Sequence, residues 1–269
     1  ITARALAAQD YFLIVGPPGT GKTSRTLRSL VENELARSPE TSLLLMAYTN
    51  RAVDEICSML TDAAIGYLRI GSPYRCDPRF HDRLFANAVG ENATLAGMRR
   101  LLTETRVIVG TTTTMSSQEE LFRQKHFSLA IVDEASQILE PDIVGLLSQL
   151  HIQNAQTLNP QPSTLNAQPS PSVEVERGLV RFILIGDHKQ LPAVVQQTVG
   201  DSRVEEQSLR DICLDNCRNS LFERLLRIER RAGREQFVGI LNRQGRMHPD
   251  IAAFPCRMFY AREHINAVP

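Results

Sequence analysis

An α/β fold with a mostly parallel central sheet flanked by helices is predicted by two patterns in this 269-residue chain. Apolar runs of strand length alternate with longer helix-compatible stretches, the arrangement in which crossover helices connect parallel strands. The first of those runs, Tyr11-Phe-Leu-Ile-Val15, also leads directly into a glycine-rich loop, Gly16-Pro17-Pro18-Gly19-Thr20-Gly21-Lys22-Thr23. A helical stretch leaves that loop, and strand, loop and helix in this order form a phosphate-binding unit.

In chain order, the strand over 11–15 is followed by a helix predicted over 23–36, then by the continuous apolar run 42–48, which reads as a buried strand. A second helix fits 52–63. The more polar stretch 69–102 carries Gly71, Pro73 and Pro78, so irregular structure and short helices are expected there. Three further strands are predicted over 106–110, 127–133 and 180–186, the last two ending in an acidic or Gly-Asp step. In a parallel sheet the functional groups gather at the carboxyl ends of such strands.

The spacing G-x-x-x-x-G-K-T lets small residues turn the backbone so that successive N–H groups face a polyphosphate, with the positive end of the next helix behind them. Gly16, Pro17, Pro18, Gly19, Thr20, Gly21, Lys22 and Thr23 are therefore the candidate nucleotide-binding residues. Lys22 supplies a cation for the β and γ phosphates. The Thr23 hydroxyl suits Mg²⁺, a hard ion that prefers oxygen and keeps several waters.

A second site closes the strand at 127–133: Ile131-Val132-Asp133-Glu134-Ala135-Ser136-Gln137. Adjacent carboxylates there can divide the labour, Asp133 reaching the metal mostly through water and Glu134 polarising the water that attacks the γ-phosphate. Two acids at a strand end can instead cap the next helix, but a phosphate loop upstream favours the chemical assignment. A third cluster, Gly186-Asp187-His188-Lys189-Gln190, closes the strand at 180–186, and the neutral Gln190 amide suits sensing of a γ-phosphate.

Basic and acidic residues number 30 each, so the net charge is zero, which argues against nucleic-acid binding by bulk charge but leaves room for a local groove. The cations are 27 Arg and 3 Lys, a bias that suits phosphates but also follows from a GC-rich gene. Arg218, Arg224, Arg227, Arg230, Arg231 and Arg234 alternate with Glu223, Glu229 and Glu235, as on a solvated helix face. Cys57, Cys76, Cys213, Cys217 and Cys256 are an odd number without paired metal-ligand spacing and are read as ordinary thiols. No apolar stretch has membrane-span length and no signal-peptide pattern opens the chain. An intracellular protein is expected, cytoplasmic or nuclear.

The pattern breaks over 151–178. Thr157-Leu-Asn-Pro-Gln-Pro-Ser163 is repeated with one substitution as Thr164-Leu-Asn-Ala-Gln-Pro-Ser170. Its prolines exclude a coiled-coil heptad and its few apolar residues do not offset ordering entropy, so a floppy insertion is expected, with a partner-binding proline motif as the alternative.

Taken in order, the segments GPPGTGKT at 16–23, LLLMAYTNRAVDEI at 43–56, VIVGTTTT at 107–114, DEASQ at 133–137, GDHKQLPAV at 186–194, SLFERL at 220–225 and QGRMHP at 244–249 resemble superfamily 1 helicases, most closely the Upf1-like and Dna2-like branch. The resemblance implies a RecA-like P-loop NTPase core with ATP and Mg²⁺ as cofactors. It implies a track for single-stranded DNA or RNA contacted by Thr49, Asn50, Thr111 and Thr112, whose hydroxyl, amide and main-chain donors hold phosphates without bulk charge. It implies catalytic roles for Lys22, Glu134, Gln190 and Arg246, with Arg246 reaching a phosphate from across a cleft. His188 and Lys189 lie in the motif that links nucleotide state to the track.

Gly245 departs from the family pattern, which has Tyr there, so an aromatic beside the nucleotide base is missing. The family's later motifs would fall beyond Pro269, and its adenine-recognising glutamine would precede Ile1, with Gln9 too close to the strand. The expected organisation is a first RecA-like motor domain over 1–218 and the start of a second over 219–269. The expected function is an ATP-dependent 5′-to-3′ helicase or translocase core. The alternative is a nucleotide-gated nucleic-acid-binding module with little turnover because of truncation. A P-loop kinase or transporter ATPase fits less well, because neither a substrate-phosphate lid nor a signature loop is present.

Overall fold

The computed structural model describes residues 1–90, 94–158 and 181–267. Seven strands, β1 Tyr11–Val15, β2 Leu43–Ala47, β3 Leu68–Arg69, β4 Val107–Thr111, β5 Leu129–Asp133, β6 Arg181–Gly186 and β7 Val238–Ile240, form one parallel sheet in the order β3-β4-β2-β5-β6-β1-β7. The five strands expected from sequence all lie in it. The additional β3 and β7 are two and three residues long, too short for a periodic signal.

The helices are α1 Thr2–Ala7, α2 Arg28–Arg37, α3 Asn50–Asp62, α4 Phe85–Val89, α5 Leu95–Glu104, α6 Thr112–Ser116, α7 Glu119–Gln124, α8 Glu140–Leu158, α9 Gln207–Asp211, α10 Leu221–Arg231 and α11 Pro249–Phe259. Side chains alternate across each strand, and because helices cover both faces, both halves of the alternation are apolar. Phe12 and Ile14 of β1 join Leu30, Val31, Val53 and Ile56 of α2 and α3 in one core. Leu13 and Val15 join Phe122, Ile143, Leu146 and Phe222, from α7, α8 and α10, in the other.

Three expectations are corrected. The segment beginning at 151 is not wholly irregular: α8 runs on to Leu158, since residues 151–158 contain neither Gly nor Pro and the first breaker is Pro160. The rest of the repeat and the remainder of the expected insertion lie outside the described residues. The boundary expected at 219 falls inside the first sheet's structure, because α10 packs Leu221, Phe222 and Leu226 on the core and β7 pairs with β1 in the register Leu13↔Val238 and Val15↔Ile240. A separate parallel pair, β8 Arg243–Gln244 with β9 Asn266–Ala267, follows only after that.

The arginines around α10 are a solvated face only in part: Arg230, Arg231 and Arg234 are exposed, but Arg224 is buried and several pair with buried acids. Arg224 donates from Nε to both carboxylate oxygens of Glu140 at 2.8 Å, and the two side chains are only 11% and 4% exposed. Arg234 pairs with fully buried Glu229 at 2.6 Å, and Arg230 with Glu263 at 3.0 Å. Glu229 of α10, Glu140 at the start of α8 and Glu263 after α11 are all buried, and each draws a guanidinium to itself.

Candidate active site

Strands β5, β6 and β1 are neighbours and parallel, so their carboxyl ends open on one edge of the sheet. The acidic pair after β5, the polar cluster after β6 and the glycine-rich loop after β1 therefore meet there, which no local pattern specifies.

Gly19 and Gly21 have φ of +77° and +75°, a region that side chains other than glycine's adopt at a cost. At Gly16 an added Cβ would lie 2.4 Å from Lys22 Cγ, so the lysine stem runs directly over the loop's start. Thr20 closes the loop by donating from Oγ1 to the Pro17 carbonyl at 2.7 Å. Past the loop, Arg25 and Thr26 N–H groups both bond the Gly21 carbonyl, at 3.1 and 3.0 Å, so a wide turn over Lys22–Leu27 precedes α2.

Lys22 Nζ donates to the Gly16 carbonyl at 2.9 Å and lies 3.4 Å from Glu134 Oε1. Thr23 donates its hydroxyl proton to Asp133 Oδ2 at 2.6 Å, which leaves the Thr23 oxygen lone pairs open to a cation. Asp133 is 2% exposed, and burial raises its pKa against the lowering pull of Thr23 and Lys22. A buried carboxylate touching a hydroxyl fits the oxygen donor set of Mg²⁺, and glycine-lined N–H groups beside a lysine fit a polyphosphate. Burial also raises the Glu134 pKa, with Lys22 again opposing it. Glu134 sits at φ +52°, ψ +35°, an unfavourable region for a non-glycine residue. Its N–H donates to Asp133 Oδ1 at 2.9 Å, so the two acids are held as one unit.

After β6, Asp187 is fully buried and organises its loop. Its Oδ1 accepts from Lys189 N–H at 3.0 Å, and its Oδ2 accepts from Gln190 Nε2 at 2.8 Å and from the Tyr260 hydroxyl at 2.7 Å. Asp187 N–H donates to Ser136 Oγ at 3.1 Å, which ties this loop to the acidic one. Gln190 is thus on the expected edge, with its amide engaged by Asp187. Asp187, Ser136 and Tyr260 were not among the expected site residues; the Gly-Asp step marked the first, but Tyr260 lies 73 residues away and has no local signal.

Arg246 reaches the same edge. Gly245 N–H donates to the Gly19 carbonyl at 3.0 Å, and fully buried Gln244 accepts at Oε1 from the N–H groups of Arg246 and Met247, at 3.2 and 2.9 Å. The Arg246 backbone is fastened beside the phosphate loop while its side chain remains exposed. Nothing lies within 4 Å of a Cβ built on Gly245, so the family's larger side chain has room there.

The expected nucleic-acid contacts divide. Thr49 caps α3 by accepting from Ala52 N–H at 3.1 Å and is exposed, and Asn50 is half-buried beside it. Thr111 and Thr112 are 6% and 2% exposed. Thr111 Oγ1 caps α6 by accepting from Thr114 N–H at 3.1 Å, because the strand turns directly into a helix there and its first N–H groups need an acceptor. Thr113 is the exposed threonine of that run.

The AAA domain family matches residues 2–196. The chain is 33% identical over 194 residues to the DNA replication ATP-dependent helicase/nuclease DNA2 of Mus musculus, covering 71% of this chain and 15% of that protein. With the Xenopus laevis protein of the same name it shares 30% identity over 260 residues, covering 96% of this chain and 20% of the relative. With the Regulator of nonsense transcripts 1 homolog of Neurospora crassa it shares 29% over 274 residues, covering 95% and 22%. The chain spans about a fifth of the length of these relatives. Among solved structures it is similar to a DNA complex of the Arterivirus nonstructural protein 10 helicase, at 15% identity and a TM-score of 0.47, covering 100% of this chain and 43% of that one. The helices that cover the sheet include none long and apolar enough to cross a membrane, among the described residues. The chain belongs to the AAA domain family and, within it, to the Upf1-like and Dna2-like branch of the superfamily 1 helicases.

Proposed function

We propose that this chain is the ATP-binding part of a motor that hydrolyses ATP with Mg²⁺ and uses it to move 5′ to 3′ on single-stranded DNA or RNA. One observation carries the reading: Lys22 with Glu134, and Thr23 with Asp133, 110 residues away from it in the chain, are brought within 3.4 and 2.6 Å of each other. Thr23 and Asp133 would hold Mg²⁺, which would supply charge neutralisation for the phosphates. Loop N–H groups and Lys22 bind the β and γ phosphates, Lys22 exchanging the Gly16 carbonyl and Glu134 for phosphate oxygens. Glu134, freed of its lysine, accepts a proton at its carboxylate from the attacking water; its raised pKa makes it a better base. Arg246 adds positive charge from the facing side. Thr49, Asn50 and the backbone around Thr111 and Thr112 hold the strand.

Steady-state ATP hydrolysis by residues 1–269, with and without a single-stranded oligonucleotide, tests the proposal. Strand-stimulated turnover that Glu134→Gln abolishes is expected. Strand binding without turnover by the parent would return the nucleotide-gated binding module, and turnover indifferent to Glu134 would overturn the assignment of the base.

A further inference from the structure

Outside the nucleotide site, α10, the loop after β6 and the segment following α11 enclose a cleft of about 500 Å³. Arg227, Arg230, Arg231, Arg262 and His188 line it. Glu223, engaged with Ser220 at the start of α10, lines it as well, and Glu263, 1% exposed and paired with Arg230 at 3.0 Å, lies behind. Arg231 and Arg262 are exposed and make no hydrogen bond or ion pair among the described residues.

Positive charge dominates the lining of the cleft, four arginines against one acid. Arg230 Nη1 lies 3.3 Å from His188 Nε2, and a guanidinium only donates, so Nε2 accepts and the imidazole proton sits on Nδ1. That Nδ1–H is buried and has no protein partner. Arg227 Nε–H, in the same cleft, is likewise buried without one. Those two donors are sealed from solvent, so the groups open to a ligand are the unpaired guanidiniums of Arg231 and Arg262, which with Arg227 and Arg230 outnumber the one acid, Glu223, that lines the same cleft. A tetrahedral oxyanion is the ligand whose acceptors match the exposed, unpaired guanidiniums of Arg231 and Arg262. Burial and Arg230 both lower the His188 pKa, in accord with a neutral ring.

We infer that this cleft holds a backbone phosphate of the nucleic-acid strand, with Arg231 and Arg262 as its ligands and His188 in the wall beside it. The inference rests on the proposed function for the identity of the strand. It gives that strand a direct line to the nucleotide site, because His188 immediately follows Asp187, which holds Gln190 at 2.8 Å.

The test is titration of labelled single-stranded DNA and RNA oligonucleotides, in the absence of ATP, into the parent and into Arg231→Gln/Arg262→Gln. Both side chains are exposed and unpaired, so the variant should melt and bind ATP as the parent does. Weaker binding, uniform across sequences, is expected, together with a salt slope shallower by about 0.7 for each phosphate that the variant no longer neutralises. A parent that binds strands and a variant with the same affinity and slope would overturn the cleft while leaving the proposed function intact. A parent that binds ATP but no strand would overturn both. Inorganic pyrophosphate competing in the parent as well as an oligonucleotide of equal phosphate content would assign the cleft to a free polyphosphate instead.

Discussion

Lys22 stands between two oxygens, the Gly16 carbonyl and the Glu134 carboxylate, so its charge is already compensated before any phosphate arrives. Lys22→Ala should therefore abolish tight ATP binding yet leave a cooperative melt; near-normal affinity in a titration would remove the phosphate-binding assignment. Glu134→Gln should keep ATP binding and lose hydrolysis by about 10²–10⁴-fold, because an amide holds a water but takes no proton. Asp133 gives the opposite kind of prediction. Burial raises its pKa above the unfolded value, so between the two values the folded chain holds more protons and stability falls as pH rises through that window. Asp133→Asn should thus melt higher than the parent near neutral pH, the gap closing on acidification, while Mg²⁺-dependent ATP binding is lost. The amide can still bond Thr23 and the Glu134 N–H, so a lower melting point at neutral pH would refute the desolvation account.

At the scale of elements, α10 is where composition misleads. Its alternating charges read as a surface pattern, yet Arg224 and Glu140 are nearly closed off from solvent and join α10 to the start of α8. Removing one partner leaves the other charge buried, so Arg224→Ala should cost about 3–5 kcal/mol in urea unfolding. Replacing both, Arg224→Met with Glu140→Leu, should recover most of that loss, since apolar residues of similar volume need no compensation for lost hydration. Equal stability of the single variant and the parent would show the pair to be solvated after all. The structure places a capping box, Ser220 with Glu223, at the head of this helix; the destination of the arginines has no local signal, because periodicity does not distinguish an outward guanidinium from one drawn inward by a distant acid.

For the molecule as a whole, the sheet does not end where the sequence divides. Leu221, Phe222 and Leu226 are 5%, 0% and 2% exposed. Burying three such side chains contributes about 5–9 kcal/mol, comparable to the whole stability of an ordinary domain. A chain cut after 218 should therefore lose its cooperative melt and become protease-sensitive, although it keeps every residue of the phosphate loop and the acidic pair. A sharp transition for 1–218, close to that of 1–269, would show that α10 and β7 are appended rather than integral.

The sequence by itself determined the phosphate loop, the parallel α/β architecture and the acidic pair at a strand end. Each of these is written in a short contiguous pattern whose physics is local: glycines for positive φ, apolar runs for buried strands, carboxylates at the carboxyl end. Tertiary structure alone decided the strand order β5-β6-β1 that gathers three loops on one edge, the short strand β7 beyond the expected boundary, and the closure of Tyr260 onto Asp187. It also decided that Thr111 and Thr112 are buried and that the arginines of α10 divide between internal pairs and a basic cleft. Those outcomes depend on which distant surfaces exclude water together, a free energy summed over residues far apart in the chain, and no window of sequence contains it.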